Sequence, residues 1–210
     1  MLCAKASDEG MRLNVQAFSL FFALLAICAQ LFVAGAIVLL AVARFSPSVK
    51  DRARRIREYL APAALSLAWV VAVVAVSGSL FYSEVAGYVP CTLCWYQRIA
   101  MYPLALVLGI AALKNDLSVR RYVVPLATAG ALISIYHYQL QRFPGQSSFS
   151  CTASSPCSLT YVWKFHYISI PLMALSAFAI IITLVLIAGR TGEPDEDPSS
   201  ESRELLEVGS

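Results

Sequence analysis

Five stretches of this chain are apolar on every helical face and long enough to cross a bilayer, which leaves few folds open. A helix that spans the hydrocarbon core needs about 20 mostly apolar residues. The stretches run from about Ala17 to Ala43, Leu60 to Tyr82, Trp95 to Leu113, Tyr122 to Leu140 and Ile168 to Ala188. The first has no charge, the third has only Arg98 near one end, and the fourth contains His137. Helices of soluble proteins carry a polar face at helical period, and these do not. Membrane β-barrels need period-two alternation, which is also missing. Composition agrees: 59% of the 210 residues are hydrophobic and 14% charged, against about 45–50% and about 25% in soluble domains. Intrinsic disorder is excluded for most of the chain, since it requires low hydrophobicity. The first stretch is longer than the apolar core of a signal peptide, about 7–15 residues, and lacks a clean basic leader, so a retained helix is expected.

The basic residues set the expected orientation. Arg44, Lys50, Arg52, Arg54, Arg55 and Arg57 follow the first stretch, and Lys114, Arg120 and Arg121 lie between the third and fourth. Both connections are expected in the cytoplasm, which puts the N-terminus outside and the C-terminus inside. The connections Ser83–Cys94 and Gln141–Tyr167 then lie outside. The basic run reads as a topology determinant in contact with membrane lipid, and no nucleic-acid partner is expected. Pro62 and Pro125 are expected in the first turns of their helices, and Pro103 inside the third, where it can kink it. The segment 191–210 holds seven of the 13 acidic residues with Pro194, Pro198 and several serines, the composition of a disordered tail.

Of the six cysteines, Cys91, Cys94, Cys151 and Cys157 fall in the two connections assigned to the outside. Cys28 reads as a small apolar residue in mid-membrane, and Cys3 has no evident role. Three readings of the other four compete. A zinc site is possible by the C-x-x-C spacing, but an oxidising compartment opposes free thiolates, and no metal is expected. Two structural disulfides would make a non-enzymatic multi-pass membrane protein. A dithiol relay would pass electrons between two pairs, and a tight C-x-x-C loop suits exchange better than stapling.

Local chemistry favours the relay. The third helix is expected to start near Cys94, where a helix N-terminus would stabilise that thiolate. Arg98, four residues on, shares its face, and a charge inside a membrane helix is costly and usually functional. His137 lies at about the same depth as a second polar contact for a cofactor, with Gln97 a weaker candidate. No haem, flavin or iron–sulfur motif is present. A quinone, ubiquinone or menaquinone, is a two-electron acceptor that can arrive through the lipid.

The string Pro90-Cys-Thr-Leu-Cys-Trp-Tyr-Gln-Arg98, followed by Ile99-Ala-Met-Tyr-Pro103, resembles the bacterial disulfide-bond-formation protein B (DsbB) family. Tyr136-His-Tyr138, Pro156-Cys-Ser158, Trp163 and Ile168-Ser-Ile-Pro171 are similar to its BdbC-like branch. The resemblance covers about Leu60 to Ala188. It implies an all-α, four-helix transmembrane bundle, here with an additional N-terminal transmembrane helix. The chain is then expected to divide into residues 1–59 (that helix and a basic cytoplasmic loop), 60–189 (the redox domain) and 190–210 (the acidic tail). The resemblance also implies redox-active disulfides Cys91–Cys94 and Cys151–Cys157 in a bacterial inner-membrane protein. Such a protein reoxidises a DsbA-like thioredoxin-fold thiol oxidase and passes the electrons to quinone. The partner would attack Cys151, Cys157 would exchange with the inner pair through Cys91, and Cys94 would meet the quinone beside Arg98. Vitamin K epoxide reductase-like proteins place the loop pair before the C-x-x-C, the reverse of the order here.

Overall fold

A computed structural model describes residues 2–144, 151 and 156–188, of which 2–13 are described as backbone only. The acidic tail lies outside the described residues. The element order is α1 (Leu2–Ala43), α2 (Pro47–Leu80) continuing into a π-helical turn (Phe81–Val85), α3 (Thr92–Lys114), a 3₁₀ turn (Leu117–Val119), α4 (Arg120–Arg142) and α5 (Ile170–Ala188). Among the described residues no strand forms, only one isolated antiparallel bridge, Lys164 with Ile168. The fold is an all-helical membrane bundle.

Four helices, α1, α2, α3 and α5, are long and apolar enough to cross a membrane. The expected fourth span forms as α4 but falls short in apolarity. Its polar residues explain this, and two of them, Ser134 and His137, are buried inside the bundle rather than turned to its surface. The segment read as a basic cytoplasmic loop is helical. Ser46 has an extended backbone and Pro47 opens α2 at its first turn, where a proline lacks nothing the helix needs. Arginine, glutamate and alanine are strong helix formers, and Arg54 pairs with Glu58 one turn on. Pro62 therefore lies inside α2, and Pro125 inside α4, rather than in their first turns. Between α3 and α4 the chain turns tightly. Asn115 takes the left-handed cap, and the Asp116 carboxylate accepts from the Ser118 N–H at 2.9 Å.

The core joins α2, α3, α4 and α5 through residues such as Leu65, Leu104, Leu108, Val123, Phe178 and Ile181. Lipid is as apolar as these side chains, so close packing rather than expulsion of water holds the helices together. Small residues set the separations. Gly130 of α4 faces the fully buried Phe178 ring, and an added Cβ would overlap that ring. Gly130→Ala is expected to destabilise the protein by about 1–3 kcal/mol. Thermal unfolding in detergent checks this, and an unchanged midpoint would mean that the ring can move aside. On α1, Ala23, Ala26 and Ala29 are buried, and this helix packs on α5 and α2.

Candidate functional site

The site lies where α3 begins. Gly87 takes a left-handed backbone conformation (φ 68°), and the chain then extends through Pro90 to Cys91, the N-cap of α3. The Cys91 sulfur accepts from the Cys94 N–H at 3.4 Å. The helix thus starts two residues before the expected point, with Cys91 at the cap and Cys94 within the first turn. The two sulfurs are 3.0 Å apart. On its other side Cys91 meets His137 Nε2 of α4 at 3.6 Å. The Gln97 amide lies 3.4 Å from His137 Nδ1. If that amide donates to Nδ1, the Nε2 proton points at the Cys91 sulfur, an assignment that follows from the bonding pattern.

These contacts favour an anion. The neighbouring Cys94 thiol lowers the Cys91 pKa to about 4, burial opposes this, and His137 lowers it further. Cys91 is thus the sulfur of the reduced pair that favours the anion. An unfolded cysteine titrates near about 8.5, so the stabilisation of the reduced fold is complete above that pH. It is lost as pH falls through about 4. His137→Phe removes a donor and is expected to raise the Cys91 midpoint by about one pH unit or more. The ultraviolet absorbance of the thiolate against pH reads this directly, and an unmoved midpoint would detach His137 from the sulfur.

Cys151 and Cys157 form a disulfide. Cys157 is 2% exposed and packs with Cys91, Leu93 and Leu140, with Cys94 and Cys151 at the edge of the same cluster. All four cysteines thus meet in one place. Aromatic rings fasten the loops that carry them. Tyr82, Tyr88 and Tyr161 stack in sequence at 5.8 and 4.5 Å, and the Tyr138 hydroxyl donates to the Tyr167 carbonyl at 3.0 Å.

Cys94 also faces a cavity of about 450 Å³ between α1, α2, α3 and α5, lined almost wholly by apolar side chains. Arg98, Gln97 and Ser79 add polar groups at the Cys94 end. Arg98 is fixed there. Its Nε donates to the Ser79 hydroxyl and its Nη2 to the Ser79 carbonyl, both at 2.9 Å, and it lies over the Trp95 ring. An apolar cleft of this size with a few convergent polar groups is typical of a small-molecule site. His137 does not line this cavity; it stands on the far side of the cysteines, against Cys91. Sequence reasoning missed Ser79 and the presence of Cys28 in the cavity wall.

Cys91, Cys94 and His137 bring three potential metal-ligating atoms within 4.8 Å. Two thiolates on one tetrahedral zinc stand about 3.8 Å apart, from Zn–S distances of about 2.3 Å. The 3.0 Å approach here is closer to a dithiol ready to form a disulfide.

Residues 61–188 match the family model described as disulfide bond formation protein DsbB. The chain is 50% identical over 131 residues to disulfide bond formation protein C of Bacillus subtilis, covering 61% of this chain and 95% of that one. It is 50% identical over 125 residues to a probable disulfide formation protein of Oceanobacillus iheyensis, covering 59% of this chain and 86% of that one. A probable disulfide formation protein C 1 of Bacillus cereus is 43% identical over 119 residues, covering 56% and 86%. No solved structure matches the chain. With four apolar helices around a paired-cysteine site and a family match over more than half its length, this multi-pass membrane protein belongs to the DsbB family of disulfide bond formation proteins.

Proposed function

We propose that the protein is a thiol:quinone oxidoreductase that reoxidises a DsbA-like thioredoxin-fold thiol oxidase. The carrying observation is that Cys91 packs against Cys157 while Cys94, one turn away, faces the cavity with Arg98. The four sulfurs thus form a path from the loop to the apolar interior. The redox loops lie on the extracytoplasmic face of the bacterial inner membrane, and the C-terminus is cytoplasmic.

The steps balance as follows. A partner thiolate attacks the Cys151 sulfur, the Cys151–Cys157 bond breaks, and Cys157 leaves as a thiolate. Cys157 then attacks Cys91 of the Cys91–Cys94 disulfide and frees the Cys94 thiolate. The partner's second thiol resolves the mixed disulfide and releases Cys151. Cys151 attacks Cys157, which restores the loop disulfide and frees Cys91. The Cys91–Cys94 dithiol gives up two electrons and two protons and closes to a disulfide again. A quinone in the cavity supplies the acceptor for both. Low thiol pKa at Cys91 makes it a good leaving group in the fourth step. The fixed Arg98 cation stabilises negative charge developing on an oxygen at that end of the cavity.

The purified protein is expected to oxidise a reduced thioredoxin-fold partner in proportion to added quinone. Arg98→Ala is expected to raise the apparent quinone KM about tenfold or more, the worth of a hydrogen bond to a charged group. Thiol exchange at Cys151 should continue unaltered. Repeated turnover of the partner without quinone would overturn the reading, and an unchanged KM would remove Arg98 from the site.

A further inference from the structure

The family match begins at residue 61, inside α2, so α1 lies wholly outside it. Yet α1 forms one wall of the cavity. Phe22, Leu25, Ala26, Cys28, Ala29 and Phe32 all line it. These positions recur at helical spacing, so one face of α1 is turned to the cavity along three turns.

Two features hold α1 in register with the redox end. Phe22 lies against Gly78, where an added Cβ would meet its ring at 3.0 Å, and its ring is 6.0 Å from that of Tyr82. Gly78 adjoins Ser79, the partner of Arg98. Phe22 is therefore level with the polar end of the cavity. Deeper along the helix, Gln30 donates to the Ser176 hydroxyl of α5 at 2.9 Å and accepts from the Tyr167 hydroxyl at 3.4 Å. A polar residue inside an apolar span is costly unless bonded, and here it ties α1 both to α5 and to the loop preceding it.

The cavity is long as well as apolar. From Phe22 to Phe32 its lining descends about 15 Å along α1, and from Gly78 to Val70 about 12 Å along α2, at about 1.5 Å per residue. Arg98, Gln97 and Ser79 gather at one end, near Cys94, and elsewhere Tyr102 and Ser176 add hydroxyls to a largely apolar wall. That is the shape of a redox ring with an apolar chain attached. We propose that α1 is the binding wall for the isoprenoid tail of a lipid quinone, with Gln30 holding the wall in place. The ring alone is served by residues of α2 and α3; the tail is served by α1. This inference rests on the quinone reading above, and it adds that the chain discriminates quinones by their tails through a helix outside the matched family segment.

Cys28 offers a probe that needs no turnover. In the oxidised protein reconstituted in vesicles, a lipid-soluble diazirine, whose photogenerated carbene inserts into S–H and C–H bonds without needing a thiolate, should label Cys28, identified by peptide mass. A long-chain isoprenoid quinone at saturation is expected to slow this about tenfold, and a tail-less quinone to leave it unchanged. In turnover, Cys28→Trp, which places an indole in the cavity, should raise the ratio of long-chain to tail-less KM about tenfold by displacing apolar contacts. Gln30→Leu, which frees the wall, should raise the same ratio. Leu31→Trp on the exposed face of α1 (69% exposed) should not. Quinone-dependent turnover with no protection of Cys28 and no change in the ratio overturns the role of α1 and leaves the oxidoreductase reading standing. Protection without turnover supports the tail site and overturns that reading. Absence of both overturns both. Protection is measured on the unaltered chain, so a variant that fails to fold does not decide the outcome.

Discussion

Cys94→Ser is expected to reduce quinone-dependent turnover by about three orders of magnitude or more, as loss of an essential nucleophile does. A hydroxyl is close in size to a thiol, so α3 and the cavity should persist, but the Cys91–Cys94 disulfide cannot form. Of the two inner sulfurs it is Cys94 that lines the cavity beside Arg98, so its loss cuts the exit for electrons and leaves their entry intact. A partner variant that keeps only its attacking thiol should still be trapped on Cys151 as a mixed disulfide, visible on a non-reducing gel. Quinone reduction followed by absorbance gives the rate. Turnover that survives Cys94→Ser would show that electrons leave by another route.

Cys157→Ala should be as severe, for a different reason. Cys157 is the loop sulfur buried against Cys91, and without it the loop has no disulfide for the partner to attack and no sulfur to pass electrons inward. Partner oxidation should fall by about three orders of magnitude. A staple makes the opposite forecast. Closing a loop with a sequence separation of 6 stabilises a fold by about 2 kcal/mol in the chain-entropy account. A purely structural disulfide would thus lower the unfolding midpoint and leave partner oxidation intact. Measuring both quantities on one variant separates the two.

The helices were legible because apolar length is written directly in composition. What was not legible follows from rules that compete. The run Lys50–Arg57 marks orientation by charge, but its residues are also strong helix formers, and α2 continues through it. The four cysteines stood out by spacing, and their meeting in one cluster needed the loop to fold back over α3. Cys94 was favoured as the anion because the helix was expected to start near it; α3 begins at Thr92, and Cys91 holds the cap. His137 was placed at the correct depth, but depth alone could not give its side, and it faces Cys91 rather than the cavity. The cavity itself is made by four helices and has no sequence signature. Gln30 and Ser79 carried a faint one, as polar side chains in apolar stretches.

The burial of Cys157 also bears on leakage. Bulk thiols in the surroundings compete with the cognate partner for any disulfide they can touch. Cys157 is 2% and Cys91 6% exposed, while Cys151 is only partly buried. Attack on a disulfide requires an approach to one sulfur along the bond axis, so the loop disulfide is open from the Cys151 side and shielded from the other. A wire insulated except at its terminal behaves in the same way. A small thiol that does attack Cys151 does not itself touch the inner pair and enters the relay only through the Cys157 thiolate that it releases. What selects the partner is then the surface around that one terminal, while the rest of the path is screened by protein.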